Sequence, residues 1–221
     1  MNDDDRITAL EAVLAQFLRP IKNVPFDLVI KAIANSQVIP MDPDAPSDKA
    51  LVADLVLAAA RVGALVRDAP IRRNRPNEVG NDIEPFVMSA IQHIGLQVER
   101  PRSTAGRGQQ AGYPDILLFD RDDRPSYLEC KIFGEGSAFT TMRSFYLSPS
   151  QNSKVSCDAR HLLMAFAVSR DPIAGSRDSF YRPTGFKLLD LFALKCDVKY
   201  EFNSDNRRLY EPALLLAEGS V

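Results

Sequence analysis

The stretch GYPDILLFDRDDRPSYLECK (residues 112–131) contains two short apolar runs, each bounded by charged residues. Asp115 opens the first run, and Glu129 and Lys131 close the second. The polar residues between the runs, RDDRP (121–125), are typical of a turn, so the stretch predicts a β-hairpin. A twisted hairpin of this length is expected to bring the carboxylate of Asp115 near that of Glu129.

The alternation of side chains along the second strand separates Cys130 from the charged pair. Glu129 and Lys131 share one face, whereas Cys130 points to the other, which favours a packed core thiol over a nucleophile. Two close carboxylates repel each other and favour a cation between them, and Mg²⁺ prefers such oxygen ligands. A lysine beside them can orient or help to deprotonate an attacking water and offset phosphate charge. This predicts metal-assisted phosphodiester hydrolysis; the alternative is that the charges are the solvated ends of a hairpin.

The composition is that of a soluble globular protein, with 45% hydrophobic and 25% charged residues in a chain of 221. The acidic N-terminus has no apolar segment behind it, which predicts no secretory signal and, with three scattered cysteines, a cytoplasmic location. Two distant histidines argue against a zinc site. The apolar stretch 50–66 is interrupted by Asp54 and Arg61 and predicts a buried central helix, not a membrane span.

The charge is unevenly distributed along the chain. Residues 111–139 carry a net charge of −3 and lie between two segments of +3, residues 61–110 and 140–182. This pattern fits a metal-binding centre with phosphate-binding walls, although chance variation on a solvated surface explains it as well. The acidic turn 120–123 is expected to face solvent, and His161 is expected to be a structural histidine whose hydrogen bonds are satisfied.

Apolar periodicity predicts the secondary structure in outline. The predicted helices cover residues 7–18, 26–34, 50–66 (with Ser47 as a candidate N-cap) and 83–94. The predicted strands cover residues 96–100, 116–120, 126–133 and 160–170, with a further strand or two near the C-terminus, within 185–194 and 198–202. This order indicates an α/β (α+β) fold, in which helices flank a mixed central β-sheet.

The polar, basic stretch 71–82 is expected to be a junction between two parts of the chain. The predicted parts are an N-terminal helical segment, residues 1–75, and a catalytic core with C-terminal DNA-recognition elements, residues 76–221. The helical segment would serve dimerisation or clamp DNA.

One combination of motifs resembles the PD-(D/E)xK nuclease superfamily with its restriction-endonuclease-like core. Pro114-Asp115 is followed fourteen positions later by Glu129-x-Lys131, after a glycine-rich loop and an apolar strand. An acid-x-lysine triplet alone has little weight, because Asp197-Val198-Lys199 is a second one. That second triplet, however, lacks a Pro-Asp pair that opens an apolar strand upstream. The C-terminal half further resembles prokaryotic type II restriction endonucleases.

The resemblance implies a Mg²⁺-dependent enzyme, with Mn²⁺ as a possible substitute, that cuts double-stranded DNA at a short specific sequence. The metal would be held by Asp115, Glu129 and the backbone carbonyl of Cys130, and Lys131 would position the water. A homodimer is expected, since each subunit of a palindrome-cutting enzyme contacts one half-site. The expected location is the prokaryotic cytoplasm, with no membrane partner.

A helix ahead of such a core often contributes another acid to the metal site. Glu84 is the candidate, with Glu78 as the alternative because Pro85 leaves the start of the helix open. Glu84 is explained equally well as a first-turn acid that the helix dipole favours.

Two polar, basic segments have donors suited to phosphates and base edges. The candidate DNA contacts are Arg102, Ser103, Thr104, Arg107, Gln109, Gln110, Arg143, Ser148, Gln151, Asn152 and Lys154. Solvated loops have the same composition. Two alternative functions also remain open, a repair or structure-specific nuclease of the same superfamily and a DNA-binding module without catalysis.

Overall fold

The structure, a computed structural model, describes residues 3–19, 21–103, 112–134, 145–148, 152–199, 206–209 and 212–214. The helices are α1 (Asp3–Phe17), α2 (Phe26–Ala34), α3 (Pro46–Asp68), α4 (Pro76–His93) and α5 (Asn206–Leu209), followed by a 3₁₀ turn at Pro212–Leu214. The strands are β1 (Ile21–Pro25), β2 (Ile71–Arg73), β3 (Gln97–Glu99), β4 (Ile116–Phe119), β5 (Pro125–Phe133), β6 (Arg160–Pro172), β7 (Ser179–Asp190) and β8 (Lys195–Val198). The chain divides into two compact units, Pro25–Leu194 and a smaller one formed by Met1–Val24 with Lys195–Val221.

A six-stranded sheet in the order β2-β7-β6-β5-β4-β3 forms the centre of the larger unit. The β5–β6 pair is parallel and the other pairs are antiparallel, so the sheet is mixed. The N-terminal two-thirds of β6 is almost entirely buried, which explains its continuous apolar sequence, because a central strand is covered on both faces. The predicted fold class, a mixed central sheet flanked by helices, is confirmed.

Helix α4 packs against the sheet through an apolar stripe. Val79, Ile83, Val87 and Ile91 are fully buried in one cluster with residues of α3 and of the sheet. The helix begins at Pro76, since a proline is well tolerated in the first turn, where its missing N–H is not needed. Residues 71–82, interpreted from the sequence as a junction between two parts of the chain, form β2 and the first turns of α4.

Helix α3 covers the predicted apolar stretch but is not buried on all sides. One face packs into the core, whereas Val52, Val56 and Leu57 are 40%, 39% and 59% exposed. The predicted N-cap at Ser47 is also wrong. The helix starts at Pro46, so Ser47 lies within its first turn, and Ala45 occupies the N-cap position in extended conformation with no side-chain cap.

A network of buried charges joins α3 to the sheet. Asp48 in the first turn of α3 accepts hydrogen bonds from Arg124 before β5 and from Arg160 at the start of β6, both at 2.8 Å. Arg124 also contacts Asp120, with Nε 2.7 Å from Oδ2. Asp120 is only 7% exposed, so the expectation that residues 120–123 form an ordinary solvent-facing turn is wrong at this position.

In the smaller unit, β1 and β8 form a separate two-stranded sheet. The predicted C-terminal strand, residues 198–202, shares only Val198 with β8, and its residues 200–202 lie outside the described residues. Strand β8 takes no part in the central sheet, and β1 was not predicted. The Asn23 N–H donates to Asp197 Oδ1 at 2.9 Å, so the acid of the second acid-x-lysine triplet has a structural partner. None of the described helices is long and apolar enough to cross a membrane.

Candidate active site

The hairpin of β4 and β5 brings two acidic residues together. Because Ile116 lies opposite Leu128 in this antiparallel pair, Asp115 lies opposite Glu129. The backbone N–H of Cys130 donates to Asp115 Oδ2 at 2.8 Å, which orients this carboxylate along the edge of β5. The predicted hairpin and the proximity of the two carboxyl groups both follow from this pairing.

Glu129 is a buried carboxyl group with one uncompensated oxygen. It is 4% exposed, and Lys131 Nζ donates to its Oε1 at 2.5 Å. Its Oε2 is buried and contacts no hydrogen-bond donor within the described part of the chain. Burial raises the pKa of Glu129 to about 7, with a further rise from the charge of Asp115 that Lys131 opposes.

Lys131 lies beside these acids with 30% of its side chain exposed. Burial lowers the pKa of its ammonium group, but the charge of Glu129 and the hydrogen bond to it outweigh burial, so the pKa lies above its usual value. Lys131 is therefore a stable cation and hydrogen-bond donor in this structure.

Cys130 points away from this face. It is 3% exposed and belongs to the apolar core formed by α3, α4 and the sheet. Burial raises the pKa of its thiol well above the usual value. A thiol in this environment is a packing group and not a nucleophile, as the strand alternation predicts.

Of the two candidate helix acids, the structure places Glu84 nearer to this hairpin. Burial raises the pKa of Glu84, and the charge of Asp115 raises it further, so the two carboxyl groups interact. Its Oε2 accepts a hydrogen bond from Arg100 Nη1 at 3.2 Å. Glu78, two turns earlier in α4, is exposed and interacts electrostatically with Arg73.

The donor set at this point suits a hard divalent cation, although it does not enclose one. Among the described residues, no group of three or more His, Cys, Asp or Glu side chains is arranged to hold a metal ion. Asp115 and Glu129 nevertheless converge, and the uncompensated Oε2 of Glu129 needs a positive partner. Magnesium usually binds through one or two carboxylates and keeps water and phosphate oxygens in its remaining positions, so two carboxylates fit it.

Comparison with known proteins gives the family of the chain. The family model for the type II restriction enzyme MjaV family matches residues 20–213. The type II restriction enzyme MjaV of Methanocaldococcus jannaschii is 34% identical over an aligned length of 233 residues, and the alignment covers 99% of this chain and 98% of that protein. This chain belongs to the MjaV family of type II restriction enzymes. No solved structure matches it significantly.

Membership of the MjaV family decides between the functions that the sequence left open. The prediction of a type II site-specific deoxyribonuclease is confirmed, and the alternatives of a repair nuclease and of a non-catalytic module are not supported. The PD-(D/E)xK assignment and the roles of individual residues stay predictions, because neither comparison names residues.

The predicted DNA contacts of this family member fall into three groups. Arg102, Ser148 and Asn152 are exposed, as a phosphate or base contact requires. Ser103 and Lys154 are each 5% exposed. The other six predicted contacts lie outside the described residues: Thr104, Arg107, Gln109, Gln110, Arg143 and Gln151.

The turn before Asp115 makes contacts that sequence reasoning did not anticipate. Tyr113 Oη lies 2.6 Å from His161 Nδ1, and both rings pack on Phe26. His161 is fully buried, and burial lowers its pKa to about 3, so the imidazole is neutral. The expectation of a satisfied structural histidine agrees with this at Nδ1, whereas the buried Nε2 has no hydrogen-bond partner among the described residues. The apolar strand around His161 signalled its burial, but nothing local indicated Tyr113 as its partner.

Proposed function

We propose that this enzyme hydrolyses double-stranded DNA at a short specific sequence by a Mg²⁺-dependent mechanism, with Mn²⁺ as a substitute. The observation that carries the proposal is the convergence of Asp115 with Glu129 across the β4–β5 pair, together with the buried Oε2 of Glu129, which lacks a donor among the described residues. Asp115, Glu129 and the backbone carbonyl of Cys130 would hold the metal. When bound, the metal would activate water and stabilise the charge that develops on the phosphate.

The residues of the chain prepare this chemistry in distinct ways. The Cys130 N–H holds the Asp115 carboxylate at the edge of β5, so this ligand needs little reorganisation. Burial of Glu129 excludes water from one side of the site, which strengthens every charge interaction there. Lys131 retains its proton beside Glu129 and so is suited to orient the attacking water and to offset phosphate charge.

The central test compares the two acid-x-lysine triplets of the chain. Glu129→Ala should abolish cleavage of plasmid DNA, and Lys131→Ala should reduce it by roughly 100- to 10,000-fold. Ca²⁺-supported DNA binding should largely persist, and removal of divalent metal should stop the wild-type enzyme. Asp197→Ala and Lys199→Ala serve as matched controls and should cut normally. Undiminished cleavage by both active-site variants would refute the assignment.

Glu84 is proposed to support the site, and Glu78 provides its control on the same helix. Glu84→Gln removes a carboxylate that interacts with Asp115, so cleavage should slow and need more Mg²⁺. Glu78→Gln changes an exposed residue and should leave the rate unchanged. Equal cleavage rates for the two variants would show that Glu84 does not support the metal site.

A homodimer in the prokaryotic cytoplasm is proposed as the working form, since a two-fold dimer matches a palindromic site. The apolar residues of α1, among them Ile7, Leu10 and Phe17, are exposed, so the N-terminal segment is available for dimerisation or for clamping DNA. Mass measurement by light scattering with and without DNA tests this proposal. A monomer in both states would contradict it.

A further inference from the structure

Lys154 lies behind the turn that leads into Asp115. Only 5% of the residue is exposed, and its Nζ donates to the carbonyl oxygens of Gly112 at 2.7 Å and Pro114 at 3.2 Å. Both acceptors belong to the three residues immediately before Asp115. The ammonium group therefore ties this turn to the segment that carries Lys154.

The segment that carries Lys154 is itself attached to the sheet. The Ser156 N–H donates to the hydroxyl of Tyr127 at 2.9 Å, and Tyr127 is a fully buried residue of β5. The Val155 N–H donates to Ser153 Oγ at 3.0 Å, which fixes the backbone next to Lys154. Lys154 thus connects the turn before β4 to the strand that carries Glu129.

The same turn is held on its other side through Tyr113. The Tyr113 hydroxyl lies 2.6 Å from His161 Nδ1, and its ring lies edge-on to Phe26, with the centroids 5.9 Å apart. Lys154 holds the backbone of the turn, and His161 and Phe26 hold the side chain of Tyr113. The position of Asp115, the first residue after the turn, depends on both attachments.

Lys154 also adds a positive charge to an acidic region. Burial lowers the pKa of its ammonium group, and the charges of Asp115, Glu129 and Glu84 oppose this effect. A buried cation close to three acids offsets part of their mutual repulsion. A surface lysine that binds DNA phosphate would instead have its ammonium group in solvent.

We propose that Lys154 is a positioning residue for the metal site, which sets the carboxylate of Asp115 by holding the Gly112–Pro114 backbone. It acts in this way instead of contacting DNA. This inference rests on the proposed function, in which Asp115 binds the metal. Groups that orient metal ligands in this way typically contribute roughly 10- to 100-fold to metal affinity or activity.

The test separates metal-dependent from metal-independent DNA binding. Lys154→Met keeps the length of the side chain and removes its donors, and Lys154→Arg restores a cation with donors. Lys49→Met is the matched control, because Lys49 also donates to a backbone carbonyl, that of Asp44 at 3.4 Å, but is exposed on α3. Binding to a labelled fragment with a mapped cut site is measured in Ca²⁺ and in EDTA, over a range of salt, together with the Mg²⁺ dependence of cleavage.

We expect Lys154→Met to bind DNA in EDTA as the wild type does and with the same salt dependence. Its gain in affinity from Ca²⁺ and its cleavage at fixed Mg²⁺ should fall by roughly 10- to 100-fold, with partial recovery at higher Mg²⁺. Lys154→Arg should retain more of the Ca²⁺-dependent gain in affinity and more of the cleavage activity than Lys154→Met. Lys49→Met should match the wild type in both measurements. If Lys154→Met does not fold, Lys154→Gln, which has a shorter side chain and a neutral amide N–H₂ donor instead of the ammonium group, should show the same smaller Ca²⁺ gain.

Two results would overturn the inference. Equal weakening of binding in Ca²⁺ and EDTA, with a salt slope lower by about 1, would make Lys154 a phosphate contact. A wild-type Ca²⁺ gain in a folded Lys154→Met or Lys154→Gln variant would remove it from the metal site. Failure of the proposed function is distinguishable, because Asp115→Asn would then cut normally whatever Lys154 does.

Discussion

Replacement of Asp48 by asparagine tests how α3 is fastened to the sheet that carries the site. Asp48 is 1% exposed and accepts hydrogen bonds from the guanidinium groups of Arg124 and Arg160, and from the N–H of Asp42 at 2.8 Å. Asparagine keeps the size of the side chain but removes its charge. Arg124 keeps its ion pair with Asp120. Arg160 is left with an uncompensated charge on a side chain that is only 10% exposed.

The expected cost follows from that uncompensated charge. Breaking a buried ion pair by removing one partner typically costs about 3–5 kcal/mol of unfolding free energy. For a chain of this size, each kcal/mol lowers Tm by about 2–4 °C. Urea unfolding and thermal melts of Asp48→Asn measure both quantities. The control is Asp178→Asn, which breaks an exposed ion pair with Arg72 and should cost less than about 1 kcal/mol.

The pH dependence of the stability difference between the wild type and Asp48→Asn gives a second measurement. Burial raises the pKa of Asp48, but the hydrogen bonds from Asp42, Arg124 and Arg160 outweigh it, so the folded-state pKa lies below its usual value. A carboxyl group with a lowered folded pKa stabilises the protein above its unfolded pKa of about 3.9 and loses this effect as pH falls further. The difference between wild type and Asp48→Asn should therefore shrink below about pH 4. A cost at neutral pH no larger than that of Asp178→Asn would refute this account of the network.

Two further predictions concern buried groups near the site. In the folded protein, Cys130 should react with an aromatic disulfide reagent far more slowly than the half-buried Cys157 and Cys196, and should become reactive on unfolding; rapid labelling of Cys130 in native conditions would contradict its place in the core. His161, with a pKa lowered by burial to about 3, stays neutral while the unfolded chain takes up a proton below about pH 6.5. The wild type should therefore lose roughly 1.5 to 2 kcal/mol more stability than His161→Gln between pH 6.5 and 5.0, and equal losses would show that His161 is protonated in the fold.

The local features of the hairpin that carries the candidate active site were predictable because they depend on neighbouring residues. Strand alternation is a property of a few consecutive positions, so it placed Glu129 and Lys131 on one face and Cys130 in the core. The turn between the strands set their antiparallel pairing and hence the approach of Asp115 to Glu129. The family comparison agrees with the nuclease activity that this pattern predicts.

The predictions that differ from the structure concern segments where tertiary packing outweighs local secondary-structure propensity. Pro76 and Gly80 look like a break in the chain, but the stripe that begins at Val79 packs on the sheet and keeps the helix continuous from Pro76 through Pro85. Helix α3 is apolar over most of its surface, yet only the face towards the sheet is buried. Propensity is a weak preference, and a buried apolar face overrides it.

By itself, the sequence determined the order of the main strands and helices, the hairpin and the pair of acids with their lysine, because the periodicity of a strand or helix is written in adjacent residues. Only the tertiary structure decided which distant charges meet. Asp48 finds Arg124 and Arg160, and Lys154 turns inward to the backbone before Asp115. Burial of a charge requires partners from several segments at once, and no single stretch of the chain carries that information.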